Sequence, residues 1–492
     1  MRVFFNEDNT HFLHTRKNVE ITEPLLREFI YQYKDTTVTD FVMCLNGAVS
    51  TAPSAVLETL SEKFLATEEN GLPVDYKDTC ARAAHLLAQK GIDMYAVWIE
   101  ACREVGITPW ISFRMNDAHG AMLPTSICKA MHTEKHPEQW IAGQRTPYEY
   151  FDKNVNYLLP EVRERMLAYI KEQVERYDVD GVELDFSREP YCFPIGREEE
   201  GKKIILSFVK EVRSLLNEIG KERKKQIKIC ILGQANPIFA MNTGFDFSAI
   251  AEEGCMDFFV ASPRWETVNT DIPIELWKKL LPKNVALGIS QGLLLGASRS
   301  RRRMIDTATD LGLAAASAHR GCDFLYLYNH FDTVESGLNI FEHATDVRKA
   351  GNIRYIYETI GHVENAEQWE RRIPITYDDF APLTERVSTR FPATSALHQM
   401  RIPVGRIEAE REILIHFVIS EEVDPEDLAV FVNGNRARFC TECKDSIVWA
   451  EGHTYTFAVM LKTDLLLGIE LQTESLARIT LAYADALIPP AQ

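Results

Sequence analysis

The chain has 492 residues, of which 46% are hydrophobic and 26% are charged, and its formal net charge is −18. This length suits two or three domains, and the composition is that of a globular protein with a large buried core. The acidic surplus argues against a nucleic-acid backbone or an anionic membrane as the main partner, so sugars and other neutral small molecules remain open.

The N-terminus and the cysteines indicate the cellular compartment of the protein. Residues 1–18 lack the apolar core of a secretory signal, and the sequence holds no run of about 18 apolar residues that could cross a membrane. The ten cysteines are scattered along the chain, which is typical of reduced, buried thiols. Cys440 and Cys443 form a lone C-x-x-C pair, which we interpret as two ordinary thiols rather than metal ligands. We therefore expect a cytoplasmic protein that needs no metal or other cofactor.

The first 360 or so residues alternate short β-rich runs with longer amphipathic runs. The β-rich runs predict eight strands, at 2–5, 40–46, 107–114, 181–187, 227–233, 257–262, 285–290 and 323–328. Apolar residues at three- and four-residue spacing predict helices, among them 93–105, 160–176, 202–219 and 301–319. Alternating strands and helices indicate a parallel sheet, and eight such units indicate a (β/α)8 TIM barrel.

After about residue 365 the pattern changes to short strands separated by turns. The predicted strands are 400–405, 412–419, 428–433, 447–450, 453–460, 467–472 and 477–487. This pattern is typical of a small antiparallel β-sandwich. We place the linker near 362–380 and predict a catalytic barrel over 1–365 followed by an accessory β-sandwich domain over 366–492.

Polar side chains follow most of the barrel strands, at the end where the active sites of such barrels lie. They are Asn46 after strand two, Arg114, Asn116 and His119 after strand three, Arg188 and Glu189 after strand four, Gln234 and Asn236 after strand five, Arg264 and Trp265 after strand six, Gln291 after strand seven, and Tyr328 and Asn329 after strand eight. Amide, guanidinium and carboxyl groups beside aromatic faces suit a hydroxyl-rich ligand. We therefore expect a carbohydrate partner bound by these residues.

Strand four, within YDVDGVELDF, carries two acids on one face. Val182 and Leu184 are apolar and face the helices, so Glu183 and Asp185 point into the barrel. Asp185 is nearest the mouth, the end of the barrel at which the strands end. Glu183 lies one layer deeper, where a structural role in a buried ion pair and a catalytic role are equally open. Arg114 on strand three has the parity to point inward, and a bond from it would hold one of the acids ionised.

Two carboxyl groups in different environments suit the hydrolysis of an acetal. One protonates the leaving oxygen, and the other attacks the sugar or activates water. We assign Asp185 as the ionised member and expect its mate from another strand. Glu266 or Asp271 after strand six is preferred, and Glu189 is a rival.

Two sequence segments resemble those of a known family. Residues 160–163 (PEVR) open a helix that leads into residues 177–185 (YDVDGVELD), and this combination resembles the glycoside-hydrolase-like family 10 group (GHL10) of TIM-barrel proteins. That family has a second Asp where this chain has Phe186, so the resemblance is to a divergent branch. The strand-four phrase is also similar to the chitinase motif DGxDxDxE, but Ser187 stands at the catalytic Glu position, which rules out a chitinase mechanism.

The resemblance covers roughly residues 1–360 and implies a glycosidase-type barrel. Glycosidases with a strand-four Asp nucleophile and a strand-six acid are the closer pattern, which implies Asp185 with Glu266 or Asp271. We therefore predict a metal-independent glycoside hydrolase that acts on a glycoside or short oligosaccharide. Two alternatives stay open: a non-catalytic carbohydrate-binding barrel, and a sugar-acid lyase or isomerase. A homo-oligomer is also left open.

Overall fold

The computed structural model describes the chain except for residues 17–18, 71–77, 124–125, 144–148, 264–267, 299–300, 331–349, 377–390, 444–449 and 492. Within the described ranges, no helix is both long and apolar enough to cross a membrane.

The described residues of the N-terminal region form ten strands. They are β1 (Arg2–Glu7), β2 (Asp40–Cys44), β3 (Thr108–Arg114), β4 (Gly181–Asp185), β5 (Lys228–Gln234), β6 (Phe258–Ser262), β7 (Ala286–Gln291), β8 (Leu294–Ser298), β9 (Arg301–Met304) and β10 (Phe324–Tyr328). Strands β8 and β9 form an antiparallel hairpin, and the other eight close a parallel barrel in chain order, with β10 paired to β1. The eight predicted strands and the TIM-barrel fold are therefore confirmed.

Helices connect the barrel strands. They are α1 (His11–Thr15), α2 (Glu23–Tyr31), α3 (Leu60–Asn70), α4 (Asp78–Gln89), α5 (Met94–Glu104), α6 (Met131–Lys135), α7 (Pro160–Arg176), α8 (Glu198–Arg223), α9 (Pro237–Asn242), α10 (Phe247–Glu252), α11 (Ile274–Leu280), α12 (Thr307–His319) and α13 (Ala350–Thr359). Short 3-10 helices span Pro137–Gln139, Glu149–Lys153, Val363–Gln368 and Pro425–Asp427. Helices α5, α7 and α8 confirm three of the predicted helices.

The predicted helix over 301–319 is wrong in its first turn and a half. Residues Arg301–Met304 form β9 and pair with β8 instead. Helix α12 begins at Thr307, because Asp306 caps it by accepting a hydrogen bond from the Thr309 backbone N–H at 2.7 Å.

Alternation of side chains along the strands fills the barrel interior. Its apolar residues are Phe4, Val42, Trp110, Cys230, Leu232, Val260, Phe324, Tyr326 and Tyr328. At the N-terminal end, the Trp110 indole Nε1 donates to Asp40 Oδ1 at 2.8 Å, and Arg2 donates to both oxygens of the same carboxylate. Packed aromatic rings and the Asp40–Arg2 ion pair thus fill the N-terminal end of the barrel. The polar groups of a site are therefore expected at the opposite, C-terminal end.

The C-terminal region consists of antiparallel strands. They are β11 (Arg371–Pro374), β12 (Ala393–Ser395), β13 (Leu397–Pro403), β14 (Ile407–Ile419), β15 (Leu428–Val432), β16 (Asn435–Arg436), β17 (Arg438–Phe439), β18 (His453–Thr463), β19 (Leu466–Thr473) and β20 (Ile479–Ile488). One sheet has the order β11-β20-β14-β18-β17 with β12 also on β20, and the other has the order β13-β19-β15-β16. Apolar residues from both sheets form a common core, as expected for a small antiparallel β-fold.

Two expectations for this region need correction. The predicted linker at 362–380 is not an irregular connection. It contains a 3-10 helix and strand β11, and β11 is hydrogen-bonded to β20 in the C-terminal sheet. Cys440 and Cys443 are joined by a disulfide rather than being ordinary thiols, whereas the eight other cysteines are free and buried, as predicted. Most of the predicted strand at 447–450 lies outside the described residues. The division into domains at residue 365 stays a prediction.

The packing of Gly181 against Trp110 inside the barrel can be tested by substitution. A Cβ at Gly181 would lie 2.0 Å from two atoms of the Trp110 ring, so Gly181→Ala forces the ring out of its packed position. We expect a loss of about 1–3 kcal/mol in the free energy of unfolding, measured by urea denaturation. Gly468→Ala is the control, because its Cβ would meet only Asn433 Oδ1 at 3.6 Å. Equal stabilities of the two variants would contradict the described packing.

Candidate functional site

Asp185 is the last residue of β4 and lies at the mouth of the barrel with 2% of its surface exposed. Its Oδ1 accepts hydrogen bonds from the backbone N–H groups of Ser187 and Arg188, both at 2.8 Å. The pKa of Asp185 is raised above its usual value, because the effect of burial exceeds the opposing effects of the nearby Arg114 and the two N–H donors. The turn after β4 therefore fixes the carboxylate in place and offsets part of the cost of burying its charge.

Glu183 lies two residues earlier on the same face and is fully buried. Its Oε1 accepts a hydrogen bond from the Ser112 hydroxyl at 2.8 Å. Among described residues, Oε2 has no hydrogen-bond partner of good geometry, although the Tyr326 hydroxyl and the Cys230 thiol lie close enough to influence it. Burial, reinforced by the charge of Asp185, raises the pKa of Glu183 to about 8. The two acids of β4 therefore differ, because Glu183 is protonated at neutral pH.

Arg114 ends β3 with its guanidinium buried at the mouth. Nη2 donates to Asp8 Oδ2 at 2.6 Å, and Nη1 donates to Asn9 Oδ1 and Asp117 Oδ2, each at 3.3 Å. Arg114 points inward as predicted, but its direct carboxylate partners are Asp8 and Asp117 rather than the acids of β4. Asp8 was not among the predicted site residues, although it follows β1 as the other polar residues follow their strands.

His119 links the loops after β3 and β4. Its Nδ1 lies 2.7 Å from Asp117 Oδ1, and its Nε2 lies 2.7 Å from Arg188 Nη2. Because a guanidinium only donates, Nε2 accepts from Arg188, and Nδ1 carries the proton that is donated to Asp117. Burial would raise the pKa of Asp117, but the hydrogen bonds from His119 and the cations around it hold that pKa well below its usual range. The predicted site residues His119 and Arg188 are therefore brought together beside Asp185.

Two other predicted binding residues hold the protein's own backbone. Asn116 Nδ2 donates to the carbonyl oxygens of Val155 and Tyr191, and its Oδ1 accepts from the Val155 N–H. Asn236 caps α9 through a hydrogen bond that its Oδ1 accepts from the Ile238 N–H at 2.9 Å. Both side chains shape the loops around the mouth, and both are engaged before any ligand arrives.

Gln291 faces the helix layer rather than the mouth. Side chains alternate along β7, and the opposite parity places Ser290 toward the interior. Gln291 Nε2 instead donates to Asp310 Oδ1 on α12 at 2.7 Å. The structure therefore does not bring Gln291 to the ligand side of the barrel.

The amides of Asn46 and Gln234 at the mouth each have an oxygen that accepts no hydrogen bond from the described residues. Asn46 Nδ2 donates to the Arg114 carbonyl oxygen at 3.0 Å, and Gln234 Nε2 donates to the Phe186 carbonyl oxygen at 2.9 Å. Because a carbonyl only accepts, these contacts fix which end of each amide is the nitrogen. Asn46 Oδ1 and Gln234 Oε1 are buried and accept no hydrogen bond from the described residues.

The remaining predicted residues after β4 and β10 lie near this group. Glu189 is buried in the loop after β4 with 1% exposed. Tyr328 is buried at the end of β10, and burial, together with the charge of Asp185, raises the pKa of its hydroxyl. Asn329 has a φ of 47°, in the left-handed region that asparagine adopts more readily than most residues other than glycine.

Asp271 is not brought to the mouth. Arg401 of the C-terminal region donates to Asp271 Oδ1 at 3.2 Å. The adjacent Ile272 carbonyl accepts from Arg320, which follows the C-terminal end of α12, at 2.9 Å. Since α12 runs from the mouth toward the start of β10, this contact places Asp271 toward the opposite end of the barrel. The other predicted residues of this loop, Arg264, Trp265 and Glu266, lie outside the described residues.

Metal binding is not indicated by the described part of the chain. Among those residues, no group of three or more His, Cys, Asp and Glu side chains is placed to hold a metal ion.

Comparisons with known proteins return structures only. No protein-family model matches the sequence, and no curated protein matches it. The galactosidase domain of an α-galactosidase–sucrose kinase is 11% identical with a TM-score of 0.39, and the match covers 94% of this chain and 55% of that one. The α-L-fucosidase isoenzyme 1 of Paenibacillus thiaminolyticus is 14% identical (TM-score 0.37; 96% of both chains), and an Anoxybacillus α-amylase is 9% identical (TM-score 0.41; 100% and 98%).

These matched structures are glycoside hydrolases, and this chain spans about half the length of the α-galactosidase chain, 55%. Identities and TM-scores this low carry no argument about activity or substrate. Membership of the family 10 group stays a prediction.

The buried Glu183 predicts a pH dependence of stability. Its folded pKa of about 8 lies above the ordinary value of 4.5, so between these values the folded state holds a proton that the unfolded state has released. The free energy of unfolding should therefore fall as pH rises through this window, by on the order of 4 kcal/mol from this group. Glu183→Gln does not titrate, so its urea-denaturation midpoints should vary less between about pH 5 and about pH 8 than those of the natural protein.

Glu222→Gln is the matched control, because Glu222 is exposed on α8. It should follow the pH curve of the natural protein. The same curve for Glu183→Gln would show that Glu183 is not held in its protonated form.

Proposed function

We propose that the barrel hydrolyses glycosidic bonds and that Asp185 is the carboxylate that attacks the sugar or activates water. The observation that carries this proposal is the unequal pair of acids on β4. Glu183 is kept neutral by burial, whereas Asp185 receives two backbone N–H donors beside a buried guanidinium. One fixed carboxylate at the mouth of a barrel suits an electron-deficient sugar carbon in the transition state.

We assign the acid partner to Glu266. Asp271 is tied to Arg401 away from the mouth, which favours Glu266 over Asp271 for this role. Glu266 follows Ser262, the last residue of β6, by four positions, and the Ser187 hydroxyl donates to the Ser262 carbonyl oxygen at 3.2 Å. This contact joins the end of β6 to the turn that holds Asp185. The end of β6 therefore lies beside the turn that holds Asp185, which supports an acid from the segment after β6 as the partner.

The unpaired amide oxygens support a neutral, hydroxyl-rich substrate. A buried acceptor without a donor costs about 1–3 kcal/mol, and a sugar hydroxyl would satisfy Asn46 Oδ1 or Gln234 Oε1. Both terminal nitrogens of Arg114 already donate to protein oxygens, which makes this group a poor site for a sugar acid. The lyase or isomerase alternative is therefore less well supported than hydrolysis.

The test compares Asp185→Asn and Glu266→Gln on two classes of substrate. Asp185→Asn should lower kcat/KM by roughly 10²–10⁴-fold on every glycoside that the natural protein hydrolyses. Glu266→Gln should cause a similar loss on alkyl glycosides and a small loss on nitrophenyl glycosides, because nitrophenolate leaves without a proton. Release of sugar is measured over a panel of both classes.

Asp271→Asn is the control, because it makes the same chemical change at an acid outside the mouth, and it should stay within about twofold of the natural protein. Normal turnover by a folded Asp185→Asn variant would sink the assignment. Sugar binding without hydrolysis by the natural protein would favour a carbohydrate-binding barrel instead.

A further inference from the structure

Asp310 joins the ends of two barrel strands from outside the barrel. It lies in the first turn of α12 and is fully buried. Its Oδ1 accepts from Gln291 Nε2 at 2.7 Å and lies 2.9 Å from His330 Nε2. Gln291 ends β7 and His330 follows β10, and these two strands are neighbours in the barrel. One carboxylate therefore holds both strand ends against the helix layer.

The strand end held through His330 belongs to the candidate site. His330 is fully buried, and its carbonyl oxygen accepts from the Tyr357 hydroxyl at 2.7 Å. The two residues before it are Tyr328, whose hydroxyl lies within the influence of Asp185, and Asn329 in its left-handed conformation. A shift of His330 would therefore move the wall of the mouth that faces Asp185.

The helix that carries Asp310 is itself held by the C-terminal region. Asp306, the cap of α12, accepts a hydrogen bond from Arg372 Nε on β11 at 3.2 Å. Arg372 also donates to Asp485 on β20, which lies 2.6 Å from His416 Nδ1 through its other oxygen. Asp485, Arg372 and His416 are all buried. A continuous polar network thus runs from the C-terminal sheet to the start of α12.

Packing along α12 is equally close. The ten residues from Ala308 to Ser317 are all buried, so the helix has no exposed face over this stretch. A Cβ at Gly312 would lie 2.3 Å from the Arg372 carbonyl oxygen, which shows that the helix touches the backbone of β11 directly. The barrel packs on one side of α12 and the C-terminal sheet on the other.

We propose that Asp310 is a positioning residue of the active site and that the C-terminal region keeps it in place through the Arg372–Asp306 contact. The C-terminal region is then a structural support of the barrel mouth rather than an independent sugar-binding appendage. The consequence for catalysis rests on the proposed function, whereas the mechanical link does not.

The mechanical link is tested by hydrogen exchange on the full-length chain without ligand. Arg372→Met should speed amide exchange at the ends of β7 and β10 by at least about tenfold, because it removes the hydrogen bond from Arg372 to Asp306. Arg401→Met is the matched control, since Arg401 also bridges the two regions, through Asp271. It should leave exchange at the ends of β7 and β10 unchanged. Arg372→Lys should restore much of the protection, because it keeps the charge beside Asp485.

A gentler variant covers the case in which Arg372→Met does not fold. Asp306→Asn keeps a good helix cap but removes the charge that attracts Arg372. It should also speed exchange at the two strand ends and, where turnover is measurable, lower kcat while KM changes by less than about twofold. Faster exchange confined to the C-terminal sheet in both variants would overturn the proposal. Absence of turnover with altered exchange would count against the proposed function alone.

Discussion

Arg114 is the buried cation around which the mouth of the barrel is arranged. Its side chain binds Asp8 after β1 and Asp117 after β3, and its charge acts on Asp185 at the end of β4. Without it, three carboxyl groups would share a poorly solvated space, and burial would drive them toward their neutral forms. His119 continues the arrangement, because Asp117 orients it and it accepts from Arg188. One guanidinium therefore connects three strand ends and lowers the cost of a charge on the candidate nucleophile.

The rest of the chain keeps this polar end rigid. Packed rings and the Asp40–Arg2 pair close the far end of the barrel, so its polar groups gather at the mouth. The C-terminal sheet encloses α12 and so supports the walls formed by β7 and β10. The residues that stabilise the barrel are thus different from those that would act on a sugar. The latter lie at strand ends, which buried hydrogen-bond networks support from the helix side.

The sequence predicted the features that periodicity encodes and missed those that depend on the path of a loop. Period two on strand four placed Glu183 and Asp185 inside the barrel, and the sequence also indicated that they differ. The prediction for Gln291 was wrong because it rested on position at the strand end alone, whereas the same period-two rule directs this side chain to α12. The position of Asp271 could not be predicted because the segment after β6 has no period, and the contacts of Asp271 with Arg401 and of Ile272 with Arg320 show where it lies. The Cys440–Cys443 disulfide likewise depends on backbone geometry that two spaced cysteines do not reveal.

Burial keeps Glu183 protonated at neutral pH, one layer below the hydrogen-bonded carboxylate of Asp185. Infrared difference spectra between the natural protein and its Glu183→Gln variant measure this directly, because a protonated carboxyl absorbs apart from a carboxylate. A protonated-carboxyl band assigned to Glu183 should be present at neutral pH and disappear only as pH rises through about 8. Loss of that band below about pH 5, as for an ordinary glutamate, would contradict it.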